Sequence, residues 1–162
     1  MAKGEPIYIT RRGALKLQQE LAELLYVQRR KIVGEVQEAA AQGDRSENAE
    51  YIYGKKKLRE IDRRVMFLTK RLEIASVIDP ADRPNGDRDR VFFGATVEVK
   101  DEDGKRSTYQ IVGEDEIDLN LGRISYRSPL GFTLLKKREG DTVLFKRPSG
   151  ERELTVVSVR YV

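Results

Sequence analysis

Two carboxylates stand three residues apart in the stretch "GDRSENAEY", at Asp44 and Glu47, with Ser46 between them and Glu50 close behind. Hard oxygen donors of this kind suit divalent cations such as Mg²⁺. The same spacing also suits a capping box, in which Asp44 accepts from the amide of Glu47 and Glu47 reaches back. An isolated metal site is a poor reading. Two or three carboxylates on a convex turn cannot cage Ca²⁺, and Mg²⁺ keeps its waters. If these groups do metal chemistry, another molecule must supply the remaining ligands and exclude solvent.

The elements that position them are two long helical patterns. Thr10 is a plausible N-cap for the first, which runs to about Gln42, with Gly43 as its C-cap. Leu17, Leu21, Leu24, Gln28, Ile32, Val36 and Ala39 recur along it at steps of three or four. In the second pattern Tyr51, Gly54, Leu58, Ile61, Val65, Leu68, Leu72 and Ala75 form a heptad seam. Helices joined by so few residues run antiparallel and bury their seams together. The expected product is a coiled-coil finger over residues 1–79 with residues 43–48 at its tip.

The Pro/Gly-rich stretch over 80–90 is expected to be a linker. Beyond it the period becomes two. "GATVEVKDEDGKRSTYQIVG" reads as a hairpin, and a second hairpin turns at "PSGE". Between them a strand leads into a short helix with Ser128 as N-cap, Pro129 first and Gly140 as a stop beyond it. The fold class is α+β: a helical hairpin, then an antiparallel β domain with one short helix over 91–162.

Composition narrows the function. The 162 residues include no Cys and no His, which excludes disulfides, thiolate nucleophiles, Cys/His zinc sites and His bases. No segment approaches a membrane span, and the N-terminus lacks the apolar core of a signal peptide. A cytoplasmic protein with no membrane partner is expected. Residues 1–80 carry 16 Lys and Arg against 12 Asp and Glu, whereas residues 81–162 carry 15 of each. The excess positive charge thus lies on the helical half, where it favours a polyanion such as nucleic acid. Arg29, Arg30 and Lys31 contribute on the first helix. Lys55, Lys56, Lys57, Arg59, Arg63 and Arg64 contribute on the second, although several also read as i,i+4 partners of acidic neighbours.

"GDRSENAEY", "KKKLREIDRRVMFLTKRLE", "VFFGATVEV", "IVGEDEID", "ISYRSPLG" and "GDTV", in this order, resemble the Gre family of bacterial transcript cleavage factors, and within it the GreB branch. The resemblance covers nearly the whole chain. It implies that the β domain is FKBP-like. It further implies a factor that docks at the rim of the RNA polymerase secondary channel and stimulates the polymerase's own cleavage of backtracked RNA. By motif position Asp44, Glu47 and Ser46 become the catalytic tip. Asp44 and Glu47 would share Mg²⁺ with the polymerase, and no cofactor is held stably by the chain alone.

The resemblance also makes the cations Arg29, Arg30, Lys55, Lys56, Lys57, Arg59, Arg63 and Arg64 the contacts to the nascent RNA 3′ segment. Asp118, Ser128, Pro129 and Leu130 become the residues that dock on the polymerase's rim coiled coil. The factor is expected to be a monomer and not an enzyme in its own right. "SPLGFTLL" departs from the family pattern at Gly131-Phe132, and Phe132 is expected to be an ordinary core residue. Rival classes are a channel-binding regulator without cleavage activity, whose tip would be more acidic and differently arranged, and a generic coiled-coil adaptor, which does not require Asp44 or Glu47.

Overall fold

Apolar residues one heptad apart build the helical hairpin. The computed structural model describes residues 6–43 and 48–162. Its first helical run comprises α1 (Arg11–Glu23), a π-helical turn (Leu24–Gln28) and α2 (Arg29–Ala41). Thr10 starts the run as expected, its Oγ1 accepting from the Gly13 amide at 3.1 Å. Gly43, with φ of +135°, follows its end. The returning helix is α3 (Ala49–Ile74).

Leu17, Leu24, Ile32 and Ala39 are buried on the first run, and Gly54, Ile61 and Leu68 on the second. The middle step of the first set, from Leu24 to Ile32, is one residue longer than a heptad. The π turn lies within that step, and its wider winding takes up the extra residue, so the buried stripe stays on one side. Gln28, expected on the seam, is therefore exposed. Gly54 permits close approach: a Cβ there would lie 2.6 Å from Val36 Cγ2. Ion pairs link the helices, among them Arg29 Nε to Asp62 Oδ1 at 2.9 Å and Arg64 to both oxygens of Glu20 at 2.8 and 3.0 Å.

The second unit comprises the chain up to Gly13 together with Ala75–Val162. The expected boundary at residue 79 therefore moves to the ends of the hairpin proper, Ala14–Ile74. The reason is a strand pair that was not expected. β1 (Ile7–Thr10) lies parallel to β2 (Ala75–Ile78), which takes Ala75 out of the helical seam. The Glu116 carboxylate then fastens β1. It accepts from the amides of Thr10 (3.0 Å) and Gly113 (2.9 Å) and from the Thr10 hydroxyl, and Arg12 lies 3.7 Å away.

Residues 80–90 are not a free linker either. Asp79 caps a short 3₁₀ turn by accepting from the Ala81 amide at 3.0 Å, and Pro80 is buried. Arg88 donates to the carbonyls of Arg83 and Ala81, both at 3.0 Å.

The main sheet contains β3 (Thr96–Asp101), β4 (Arg106–Val112), β5 (Arg123–Ser125), β6 (Thr142–Arg147) and β7 (Gly150–Arg160) in the order β5-β4-β3-β7-β6. Both expected hairpins form. The antiparallel expectation fails at one edge, where β5 runs parallel to β4. The connection between them spans two 3₁₀ turns, long enough to carry the chain back to the starting side. Alternate residues such as Val97 and Val99 join Val91, Ile111, Leu134 and Val156 in the core. Helix α4 (Pro129–Leu134) begins as expected, with Ser128 Oγ accepting from the Gly131 amide at 3.1 Å.

Candidate functional site

The closed end of the hairpin is organised by Asn48. Its Oδ1 accepts from the Tyr51 amide at 3.1 Å, which caps α3. Its Nδ2 donates to the Ala39 carbonyl on α2 at 2.7 Å, which ties the two helices together. The cap of α3 seen among the described residues is thus Asn48. Asp44, Ser46 and Glu47 themselves lie outside the described residues. Among the described residues no group of three or more acidic or His/Cys side chains is placed to hold a metal ion.

The eight expected RNA contacts divide by environment. Arg29 and Arg64 are committed to Asp62 and Glu20. Lys57 lies 3.9 Å from Glu60, and Arg30 sits over the Tyr26 ring at 5.9 Å. Among the described residues Lys55, Lys56, Arg59 and Arg63 make no ion pair, and all four are exposed. Lys56, Arg59 and Arg63 follow at steps of three and four, so they share a face. At about 100° per residue that face lies roughly opposite the buried stripe of Gly54, Ile61 and Leu68. Tyr53 is exposed in the turn before these cations. Spacing alone did not single it out, because an aromatic next to a seam position reads as packing.

Of the expected docking residues, Asp118 caps a 3₁₀ turn, its Oδ1 accepting from Asn120 and Leu121. Ser128 is occupied as the cap of α4, and Leu130 packs against the core. Pro129 alone of that segment is exposed. Phe132 is a correction. It is 73% exposed and takes no part in the core. The reason lies next to it: a Cβ on Gly131 would meet the Ser125 carbonyl at 2.1 Å, so α4 turns its glycine edge to β5 and Phe132 outward. Arg127, just before the helix, bonds Glu114 at 3.2 Å, and its pKa is raised by Tyr126 and then by Glu114.

Comparison with known proteins identifies the family. Residues 7–77 match the family model for the N-terminal domain of transcription elongation factors, and residues 85–161 match that for the C-terminal domain of GreA/GreB. The chain belongs to the GreA/GreB family of transcription elongation factors. It is 52% identical to the transcription elongation factor GreB of Pseudomonas aeruginosa, over 98% of this chain and 92% of that one. It is 50% identical to GreB of Neisseria meningitidis serogroup B, over 96% and 94%. GreA of Verminephrobacter eiseniae is 46% identical over 96% and 98%. Among solved structures, GreA factor homolog 1 of Thermus thermophilus is 25% identical over 96% and 99%, with a TM-score of 0.42. As a member of the family the chain is a transcription elongation factor. No helix among the described residues is long and apolar enough to cross a membrane.

Proposed function

We propose that this elongation factor stimulates RNA polymerase's own cleavage of backtracked RNA, with the end of its hairpin reaching the polymerase active site through the secondary channel. The observation that carries the reading is at that end: Asn48, next in sequence to the segment that holds Asp44 and Glu47, both caps α3 and joins it to Ala39. The hard carboxylate oxygens of those two acids suit Mg²⁺, but two carboxylates fall short of its octahedral demand. Asp44 and Glu47 would therefore hold the ion jointly with polymerase carboxylates, and the ion, when bound, supplies Lewis acidity and an activated water. Ser46 brings a hydroxyl beside them.

The cations Lys55, Lys56, Arg59 and Arg63, exposed and without an ion pair among the described residues, retain the extruded RNA 3′ segment through its phosphates, without reading sequence. Pro129, with the segment around it, meets the rim coiled coil of the polymerase. In this reading the factor works as a cytoplasmic monomer and cleaves nothing alone.

The test is a backtracked elongation complex with end-labelled RNA, followed for release of the 3′ fragment in Mg²⁺. The native chain should accelerate release, while Asp44→Ala and Glu47→Ala should bind polymerase and leave release at its basal rate. Binding without acceleration by the native chain would make it a channel-occupying regulator, and cleavage of free RNA without polymerase would make it a nuclease.

A further inference from the structure

Phe132 does not stand alone on the surface. A cleft of about 610 Å³ opens beside it, between α4 and the edge strand β6, with Thr133, Lys136, Lys137 and Leu144 on its walls. Leu144 is 49% exposed, so the cleft carries two large apolar side chains in water. Exposing both costs solvation free energy that burial elsewhere would recover. β6 lies at the end of the strand order, so its outer edge is unpaired within the sheet. Pro129 precedes Phe132 by three residues and shares its face of α4. Phe132, on the wall of the cleft, is thus one helical turn from the one exposed member of the expected docking segment.

The backbone supplies an independent sign. Lys136 is the only non-glycine among the described residues with positive φ, at 69°. It occupies the position just past the end of α4 where glycine is favoured. Its amide is held by the Val91 carbonyl at 2.6 Å, which fixes this conformation. A lysine kept where glycine would be easier puts a cation on the lip of an apolar cleft. Strained positions of this kind concentrate at functional sites. Lys137 stands next to it, and neither lysine makes an ion pair among the described residues.

We infer that Phe132 and Leu144 form an apolar anchor point, with Lys136 and Lys137 as a basic rim, and that the occupant is an acidic segment of RNA polymerase bearing an apolar side chain. This rests on the reading that the chain docks on the polymerase. It adds Phe132 as the residue that sets affinity for one polymerase over another. An apolar centre within a charged rim is the usual anatomy of such a contact, and the rim's sign requires an acidic partner.

The test is competition binding of the full chain to core polymerase, with transcript cleavage at saturating factor as the second readout. Phe132→Ser and Leu144→Ser should each weaken binding at least tenfold. Cleavage at saturation should stay within twofold of the native chain, because the hairpin end is untouched. The double variant K136E/K137E should bind more weakly and lose most of the salt dependence of binding. Thermal melts within a few degrees of the native chain would exclude misfolding, as expected for exposed sites.

Native binding that persists within twofold in Phe132→Ser and Leu144→Ser would overturn the inference and leave the docking reading in place. Absence of binding by the native chain would overturn both. A dimer in sedimentation that disperses in Phe132→Ser would overturn it in favour of a second copy of the chain as the occupant.

Discussion

Asn48 and Ala39 close the hairpin through a single hydrogen bond, 2.7 Å from side-chain amide to backbone carbonyl, while the same side chain caps α3. Two functions in one residue can be separated by substitution. Asn48→Asp keeps an oxygen for the Tyr51 amide and loses the donor to Ala39. Asn48→Ala loses both. The alanine variant should lower hairpin stability by about 1–2 kcal/mol, with the aspartate variant between it and the native chain. Asp44→Ala and Glu47→Ala should change stability by less than about 0.5 kcal/mol, the usual range for positions outside such features. Helical circular dichroism during denaturant unfolding checks the order. A loss of 1 kcal/mol or more in Asp44→Ala would return the cap to the acid.

The cations of α3 should behave as two classes. Lys56, Arg59 and Arg63 share a face and make no ion pair among the described residues, whereas Arg64 is locked to Glu20 by two bonds. Replacing the first three by alanine should leave stability nearly unchanged. It should also flatten the dependence of RNA retention on salt, by about 2 in the log–log slope for three lost contacts to single-stranded RNA. Arg64→Ala should instead cost stability, up to about 1 kcal/mol for an exposed pair. Crosslinking yield of the RNA 3′ segment across a salt series, beside melts, distinguishes the two. Equal salt slopes in the triple variant and the native chain would remove the basic face from RNA binding.

At Gly54 the second helix leaves no room for a side chain beside Val36 of the first. Gly54→Ala would drive a methyl group against Val36 Cγ2, at 2.6 Å before any adjustment. Overpacking of this kind should cost about 1–3 kcal/mol, although alanine is the better helix former. The pair Gly54→Ala with Val36→Ala should recover most of the loss, because the second change vacates the contested space. A double-mutant cycle measured by chemical denaturation reads the coupling directly. Additive losses would place the strain elsewhere.

Alkaline pH should act on the β unit through Tyr161. Its hydroxyl donates to the Arg90 carbonyl at 2.6 Å and accepts from the Phe92 amide at 2.8 Å. Burial raises its pKa from the ordinary 10.0, more than Phe92 and Arg83 lower it. The folded protein thus holds this proton more tightly than the unfolded chain does. The stabilisation is complete below pH 10 and is lost as pH rises from 10 through the folded value. Tyr161→Phe should be less stable at neutral pH and should show a shallower decline above pH 10. Parallel declines in the two proteins would show that Tyr161 does not set the alkaline limit.

Much of the architecture could be read from residue spacing because the signals were local. The heptads of α3, the turns "DEDG" and "PSGE", and the Ser128-Pro129 helix start each depend on a few adjacent residues. The β1–β2 pair escaped because two four-residue strands separated by the whole hairpin carry no local mark of their pairing. Glu116 escaped for the same reason, since nothing in "GEDEID" reveals that its third acid is the one that holds Thr10. The π turn was visible only as an imperfect seam at Gln28. At the candidate site, the acids and basic runs were legible as composition. Which cations are free was not, because it depends on acids such as Glu20 and Asp62 from the facing helix. Phe132 was misread because an apolar residue on a short amphipathic helix ordinarily points inward, and only the contact of Gly131 with β5 turns it out.

The division of the chain at Gly13 and Ile74 makes the hairpin an insert, with one β unit assembled from what precedes and follows it. Chimeras between relatives should accordingly be joined at Gly13/Ala14 and Ile74/Ala75, where the chain passes from one unit to the other. A junction in the Pro-rich stretch near residue 80 would carry β1 and β2 away with the hairpin and strand Glu116 without Thr10. A graft cut at the inner boundaries would exchange the tip and basic face while leaving the cleft beside Phe132 as it was. Which polymerase a chimera recognises, and what it does once there, would then become separately transplantable traits.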